Sequence, residues 1–232
     1  MTPIYITKAT GEREEFNKQK LIDSLIRSKA SPDLAKKIAN QLEEKLKEEA
    51  STKDIYHEAF SILKKEERPA ALRYSLRKAI MDLGPSGFPF EQFVAKIFES
   101  KGFQTKTDYI AKGDCVNHEI DVVAWNKEKL IMVEAKFHNE LGLKSDLKVA
   151  LYINSRWEDL KNVEFDEFGF KRKLDEGLLI TNTKFSESAI RYAKCRKMKL
   201  IGWNYPAQGN LQDLIEKAHL HPITCLTSTT PS

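Results

Sequence analysis

Two short segments gather residue types that can act on a phosphodiester: His118-Glu119-Ile120-Asp121 and Glu134-Ala135-Lys136. Side chains alternate along a strand, so Glu134 and Lys136 share one face; so do Glu119 and Asp121, with Ile120, Val122 and Ala124 on the other. A turn centred on Lys127-Glu128 sets Asp121 opposite Glu134 and Glu119 opposite Lys136, with directly opposed Cβ atoms about 4.5–5.5 Å apart. Carboxylates brought that close repel unless a proton or a cation lies between them. Oxygen donors on a rigid element suit Mg²⁺ or Mn²⁺. A divalent ion there could activate water and stabilise charge on a phosphate, with Lys136 holding the water or neutralising developing charge. The plainer alternative is a solvated lattice of salt bridges, each worth about 0–1 kcal/mol. His118 falls on the face opposite Asp121 and reads as structural or as a DNA contact. Lys144, Lys148, Tyr152 and Arg156 recur at helical spacing and read as a solvated helix face ahead of a set of phosphate contacts. Trp125, Trp157 and Trp203 read as core.

The elements that position these residues follow from periodicity and punctuation. Val116 to Trp125 and Leu130 to Phe137 are strands joined by a turn at Asn126 to Lys129. A helix is expected before them, from Pro89 to Ser100, burying Phe90, Phe93, Val94, Ile97 and Phe98. After them come a helix over Lys144 to Lys161, a strand at Leu178 to Thr181, a helix at Ser186 to Met198, a strand at Lys199 to Trp203 and a helix at Leu211 to Ala218. Alternating strands and helices indicate an α/β sandwich. Gly84-Pro85-Ser86-Gly87 breaks any helix and marks a linker. Ahead of it, Ile4 to Thr7 and Arg13 to Phe16 form a hairpin turning at Ala9-Thr10-Gly11-Glu12. Helices follow: one capped by Asn17, one started by Ser31-Pro32, one opened by Ser51-Thr52, and one running from near Pro69 to Gly84. Thr227 to Ser232 is a polar tail.

Composition excludes several classes. With 41% hydrophobic and 31% charged residues, the chain has apolar material for a core and lacks the signature of disorder. No apolar run is long enough to span a membrane, and the N-terminus has no basic-then-apolar leader. Cys115, Cys195 and Cys225 are few, odd in number and scattered, which argues against both a disulfide framework and a zinc site and fits a reducing cytoplasm. The net charge of +4 is modest, so a nucleic-acid-binding face must be a local patch.

Residues 88–220 resemble the PD-(D/E)xK nuclease superfamily and, within it, the Mrr-type restriction endonucleases. The matching pieces are Phe90-Glu91-x-Phe-Val, Lys101-Gly102-Phe103, His118-Glu119-Ile120-Asp121-Val122-Val123, Glu134-Ala135-Lys136 and Leu179-Ile180-Thr181-Asn182-Thr183-Lys184-Phe185. The resemblance implies that Asp121 and Glu134 ligate the metal, that Lys136 is the catalytic lysine and that Glu91 completes the site. Residues 3–84 resemble the ATP-cone module of ribonucleotide reductases and their transcriptional repressors, through Ile6-x-Lys8, Gly11, Glu14, Phe16-Asn17, Lys20-Leu21 and Thr52-x-Asp54-Ile55-Tyr56. This implies that Lys8 and Lys20 meet nucleotide phosphates, with Glu14, Asn17, Thr52 and Tyr56 around the base and sugar. Ala9 stands where a basic residue is common, and Tyr56 where histidine is.

The expected architecture is therefore α/β: an ATP-cone at 1–84 (a short hairpin plus helices), a restriction-endonuclease-like domain with a mixed central sheet at 88–220, and a tail at 221–232. The expected activity is a Mg²⁺- or Mn²⁺-dependent DNA endonuclease in restriction or DNA defence, with ATP or dATP as effector. Its partners would be DNA and the nucleotide, not a membrane, and it would be at least a homodimer. The alternatives are a non-catalytic, nucleotide-responsive nucleic-acid-binding regulator, or a nuclease acting on RNA or branched DNA.

Overall fold

The computed structural model describes residues 3–8, 11–46, 50–140 and 142–222. The expected turn at Ala9-Thr10 and the tail from Thr227 lie outside them. The described residues fall into two compact units. The first runs up to Ala79 and includes Glu140, Gly142 and Pro222; the second holds Ile80–Asn139 and Leu143–His221.

In the first unit β1 (Tyr5–Thr7) and β2 (Arg13–Glu15) pair antiparallel, with Ile6 opposite Glu14. Gly11 closes the hairpin at φ +82°, a left-handed conformation that suits glycine. Then come α1 (Lys18–Arg27), α2 (Pro32–Lys45), α3 (Thr52–Glu66) and α4 (Arg68–Met81). Asn17 caps α1, its side chain accepting the Lys20 N–H at 2.9 Å. Ser51 and Asp54 form a reciprocal capping box on α3. Ser31 departs from expectation: it precedes the proline that starts α2, but its hydroxyl makes no capping bond there and instead donates to Glu67 at 2.6 Å. Leu25, Ile38, Leu42 and Leu63 are essentially fully buried in the core these helices share. Each such side chain contributes about 1.5–3 kcal/mol.

The second unit begins with α5 (Phe88–Glu99), followed by β3 (Gln104–Lys112), β4 (Asn117–Trp125), β5 (Leu130–Lys136), β6 (Lys144–Ser145), α6 (Leu147–Leu160), β7 (Glu176–Thr181), β8 (Lys184–Phe185), α7 (Glu187–Arg196), β9 (Lys199–Ile201) and α8 (Leu211–Ala218). The central sheet has the order β3-β4-β5-β7-β9. It is antiparallel across β3, β4 and β5 and parallel across β5, β7 and β9, which is the mixed sheet expected. β5 is buried at every position but its last, as a central strand covered on both faces must be.

Two elements differ from the sequence reading. α6 starts at Leu147 under an Asp146 cap, because Lys144 and Ser145 pair in parallel with Lys184 and Phe185. Edge strand β3 is an additional element: its inward positions include Thr105 and Thr107, too polar to give a clear hydrophobic alternation.

Candidate active site

The β4–β5 hairpin is fixed at its tip by Asn126, whose side-chain oxygen accepts the N–H groups of Glu128 at 2.8 Å and Lys129 at 2.9 Å. From that turn the register runs Trp125 opposite Leu130, Ala124 opposite Ile131, Val123 opposite Met132 and Val122 opposite Val133. The next two positions are Asp121 and Glu134, where the backbone ladder ends. The Ala135 N–H donates there to Asp121 Oδ2 at 2.7 Å, so the aspartate side chain takes the place of a ladder carbonyl and is held against β5.

Glu134 is only 4% exposed. One carboxylate oxygen, Oε2, accepts from the Arg156 guanidinium on α6, which is itself buried. The other, Oε1, is buried and has no hydrogen-bond partner among the described residues. Burial first, and then Asp121, push the Glu134 carboxyl up to about 8 against the opposing pull of Arg156. Burial also raises Asp121, offset by the Ala135 N–H and by Arg156. Glu91 on α5 is half-buried and joins the same field. Its carboxyl is pushed up to about 7 by burial and then by Asp121, Asp108 and Glu119. The helix bearing it is fastened by Gln92, which donates to Thr107 on β3 at 2.7 Å, and by Phe90 packed on Phe137 with ring centroids 5.6 Å apart.

Lys136 is the exposed last residue of β5. Just beyond it the fully buried Asn182 takes over the strand pairing: its amide accepts the His138 N–H at 2.9 Å and donates to the His138 carbonyl at 2.7 Å. The backbone carrying Lys136 is thus held by β7 and by this side chain.

The structure therefore brings Asp121, Glu134 and Glu91 into one electrostatic cluster and sets Lys136 at the end of the strand that bears Glu134. Among the described residues, no three His, Cys, Asp or Glu side chains are gathered closely enough to enclose an ion. The unpartnered Oε1 of Glu134 beside Asp121 nevertheless suits Mg²⁺ or Mn²⁺, which bind through one or two carboxylates and fill the remaining positions with water and phosphate oxygens.

Three residues around the cluster were not expected there. Arg156, read as part of a solvated face, is buried because Ile153, Arg156 and Leu160 lie on one side of α6; that stripe was the available signal. Lys144, grouped with it, is not on the helix. Asp108 lies opposite Asp121 between the Thr107–Val122 and Tyr109–Ile120 pairs and has φ +52°, which aspartate tolerates better than most residues. Asn182 gave no local signal, since its partner lies far away in sequence. His118 is structural: its Nε2 is 2.7 Å from Asp159 Oδ2, and Asp159 also accepts the N–H groups of Cys115 and Val116. Trp203 is buried in the core. Trp125 and Trp157 are half-buried, packed against the cluster that holds Tyr109, Ile120 and Met132.

In the first unit, Lys8 Nζ lies 3.1 Å from both Glu12 and Glu14, and Lys20 Nζ lies 3.5 Å from Glu14. Glu14 and then Glu12 raise the Lys8 ammonium above its usual value. The Thr7 N–H donates to the Ala50 carbonyl at 3.0 Å, which draws the end of β1 to the start of α3 and hence to Thr52. Tyr56, one turn further along α3, stacks on Tyr74 with centroids 5.1 Å apart. Lys8, Glu14, Asn17 and Lys20 thus lie together, with Thr52 at the nearby helix start and Tyr56 in an aromatic stack.

Residues 4–79 match the family described as the ATP cone domain, so the protein carries an ATP-cone ahead of a mixed α/β unit. The chain is 41% identical over 133 residues to an uncharacterised protein of Archaeoglobus fulgidus, a match spanning 57% of this chain and 71% of that protein. It belongs to the family of that archaeal protein. The crystal structure of a protein of unknown function superposes with a TM-score of 0.51 at 40% identity, covering 60% of this chain and 70% of the other. Can2 from Sulfobacillus thermosulfidooxidans in complex with cyclic tetra-adenylate (TM-score 0.38, 14% identity, 93% of this chain and 68% of that one) and the MspJI restriction endonuclease with a 27-mer oligonucleotide (0.37, 10%, 85% and 48%) are too distant to bear on activity. Among the described residues, no helix is long and apolar enough to cross a membrane.

Proposed function

We propose that the second unit is a metal-dependent DNA endonuclease and that the ATP-cone makes it responsive to ATP or dATP. The observation that carries this reading is Glu134: a carboxylate buried beside Asp121, with one oxygen held by Arg156 and the other without a hydrogen-bond partner among the described residues. Burying a charged oxygen without a partner is costly, and a ligand cation relieves that cost. Asp121 and Glu134 would hold a divalent ion, which when bound supplies Lewis-acid stabilisation at the scissile phosphate. The chain's own residues do the rest. The Ala135 N–H orients Asp121, Arg156 orients Glu134, and Glu91, with its carboxyl near neutrality, can hold or release a proton. Lys136 offers an ammonium at the strand end to steady the attacking water or the charge growing on phosphate. Lys8, Lys20, Glu14, Asn17, Thr52 and Tyr56 would receive the nucleotide. Cutting both strands needs two such sites, hence at least a homodimer, and restriction of foreign DNA is the role this chemistry suits.

The test is supercoiled plasmid, methylated and unmethylated, incubated with Mg²⁺ or Mn²⁺ and with or without ATP or dATP. Nicking by the wild type that is lost in Asp121→Asn and Lys136→Ala supports the assignment, and a nucleotide effect on the rate supports the coupling. Plasmid that is bound but stays intact under every condition would make the protein a nucleic-acid-binding regulator instead.

A further inference from the structure

At the turn end of the β4–β5 hairpin, away from Lys136, the second unit holds a cavity of about 520 Å³, within the roughly 300–1,000 Å³ typical of small-molecule sites. Its apolar walls are aromatic: Trp125 at the end of β4, and Phe168 and Phe170 on the loop between α6 and β7. Trp125 and Phe170 are half-buried, so each keeps part of its ring open. Phe168 is buried, its ring centroid 4.7 Å from that of Trp125. Among the described residues, no Ala, Val, Leu, Ile or Met lines the cavity. The loop is tied down in this shape. Phe165 and Arg172 exchange backbone hydrogen bonds at 2.8 and 2.9 Å across its base. Arg172 also donates to the Lys127 carbonyl at 3.4 Å, and Asp175 accepts the Leu130 N–H at 2.7 Å, which fastens the loop to the hairpin turn.

Polar groups surround these rings. The Gln104 amide and the Lys127 ammonium line the cavity and make no side-chain bond among the described residues. Asn126 commits its oxygen to the turn and keeps its amide N–H groups. Glu167 accepts the Tyr109 hydroxyl on one oxygen and keeps the other. Both donors and acceptors are therefore on offer beside aromatic walls. A lipid chain would call for aliphatic walls and no such rim. A flat heteroaromatic ring with donors and acceptors on its edge uses both parts, stacking on the rings and bonding to the rim. Trp125 lies four residues along β4 from Asp121, on the same face of the strand and about 13 Å away, so the cavity is distinct from the carboxylate cluster.

We propose that this cavity binds a nucleobase, its ring stacked against Trp125 and Phe170 and its edge hydrogen-bonded by Gln104 and Glu167. The base is carried either by a free nucleoside or by an unpaired nucleotide of a nucleic-acid strand; the stacking and edge contacts are the same for both. The site needs no chemistry from Asp121, Glu134 or Lys136, so it stands apart from the endonuclease reading.

The chain has three tryptophans, so proton–nitrogen NMR of the full chain reads the Trp125 indole N–H directly, with Trp125→Phe identifying its signal. The probes are adenosine, guanosine, cytidine and thymidine, a short single-stranded DNA, and the same strand with abasic sites. At least one nucleoside or the intact strand is expected to move the Trp125 signal saturably while that of the buried Trp203 stays in place. Phe170→Ala should weaken that binding about tenfold or more, as losing a stacking ring does. The exposed Gln104→Ala, which carries little risk to folding, should weaken it severalfold and alter the order of preference among bases. A response to nucleosides assigns a free ligand; a response to the strand alone assigns an unpaired base of nucleic acid. No response to any probe, an equal response to the abasic strand or to benzyl alcohol, or wild-type affinity in both variants would overturn the proposal. Because the readout is Trp125 and not cleavage, a protein that nicks no plasmid would leave the result unchanged.

Discussion

Replacing Arg156 by methionine tests the electrostatics of Glu134, whose carboxylate the guanidinium meets directly. In the unfolded chain this carboxyl titrates near its ordinary value of 4.5; folded, burial and Asp121 push it up to about 8, with Arg156 pulling the other way. Between those values the folded protein holds a proton that the unfolded chain has released. Stability therefore falls as pH rises through that window and levels off above about 8. Without Arg156 the folded carboxyl moves higher still, so the fall continues past pH 8 at about 1.4 kcal/mol per pH unit. From pH 8 to 9.5 the variant should lose roughly 2 kcal/mol more than the wild type. Below about pH 7 the two should run in parallel, offset by a constant packing difference, since methionine keeps much of the aliphatic stem. The assay is urea unfolding across that pH range with chelator present. A second pair of proteins, with and without Arg156→Met, both carrying Glu134→Gln, serves as the control; there the gap should change much less with pH, because Glu134 no longer titrates and Arg156 acts only on Asp121. A gap equal at every pH in the first pair, or one that widens just as much in the control pair, would refute the argument.

Two further substitutions probe the frame around the cluster. Asn182→Ala removes both bonds to the His138 backbone from a fully buried position and leaves the N–H and C=O of the half-buried His138 without that partner. It should cost about 2–4 kcal/mol, read as a lower denaturant midpoint with an unchanged slope. Gly113→Ala places a Cβ 2.2 Å from Asp159 Oδ2 and 2.6 Å from the Val116 carbonyl. It should cost about 1–3 kcal/mol by overpacking and speed amide exchange at Cys115 and Val116, whose N–H groups Asp159 accepts.

The hairpin that carries Asp121, Glu134 and Lys136 was legible because its determinants are local: a turn residue, Asn126, and alternation on either side set the register down to Val122 and Val133. The hairpin and helices of the first unit were legible for the same reason, with Asn17 and Ser51 announcing helix starts. What escaped depends on partners far away in sequence. Lys144 and Ser145 look like the first turn of α6 until Lys184 and Phe185 pair with them. Arg156 looks like one more surface cation until the carboxylate it meets, on a strand before the helix, is buried. β3 is concealed by the threonines on its inward side, and Asp108 goes unnoticed with it.

Arg156 and Asp159 stand three residues apart on α6, and each binds a different part of the sheet: one holds Glu134 on β5, the other gathers Cys115 and Val116 in the loop between β3 and β4 and His118 near the start of β4. The helix therefore works as a two-pronged key whose teeth must stay in phase. One residue inserted between them would turn the second prong by about 100° around the axis, and no shift along the helix could restore both. Drift in length should accumulate elsewhere in the fold, in the connections after α6 and α7, while this short stretch of helix keeps its spacing even where its surface residues change freely.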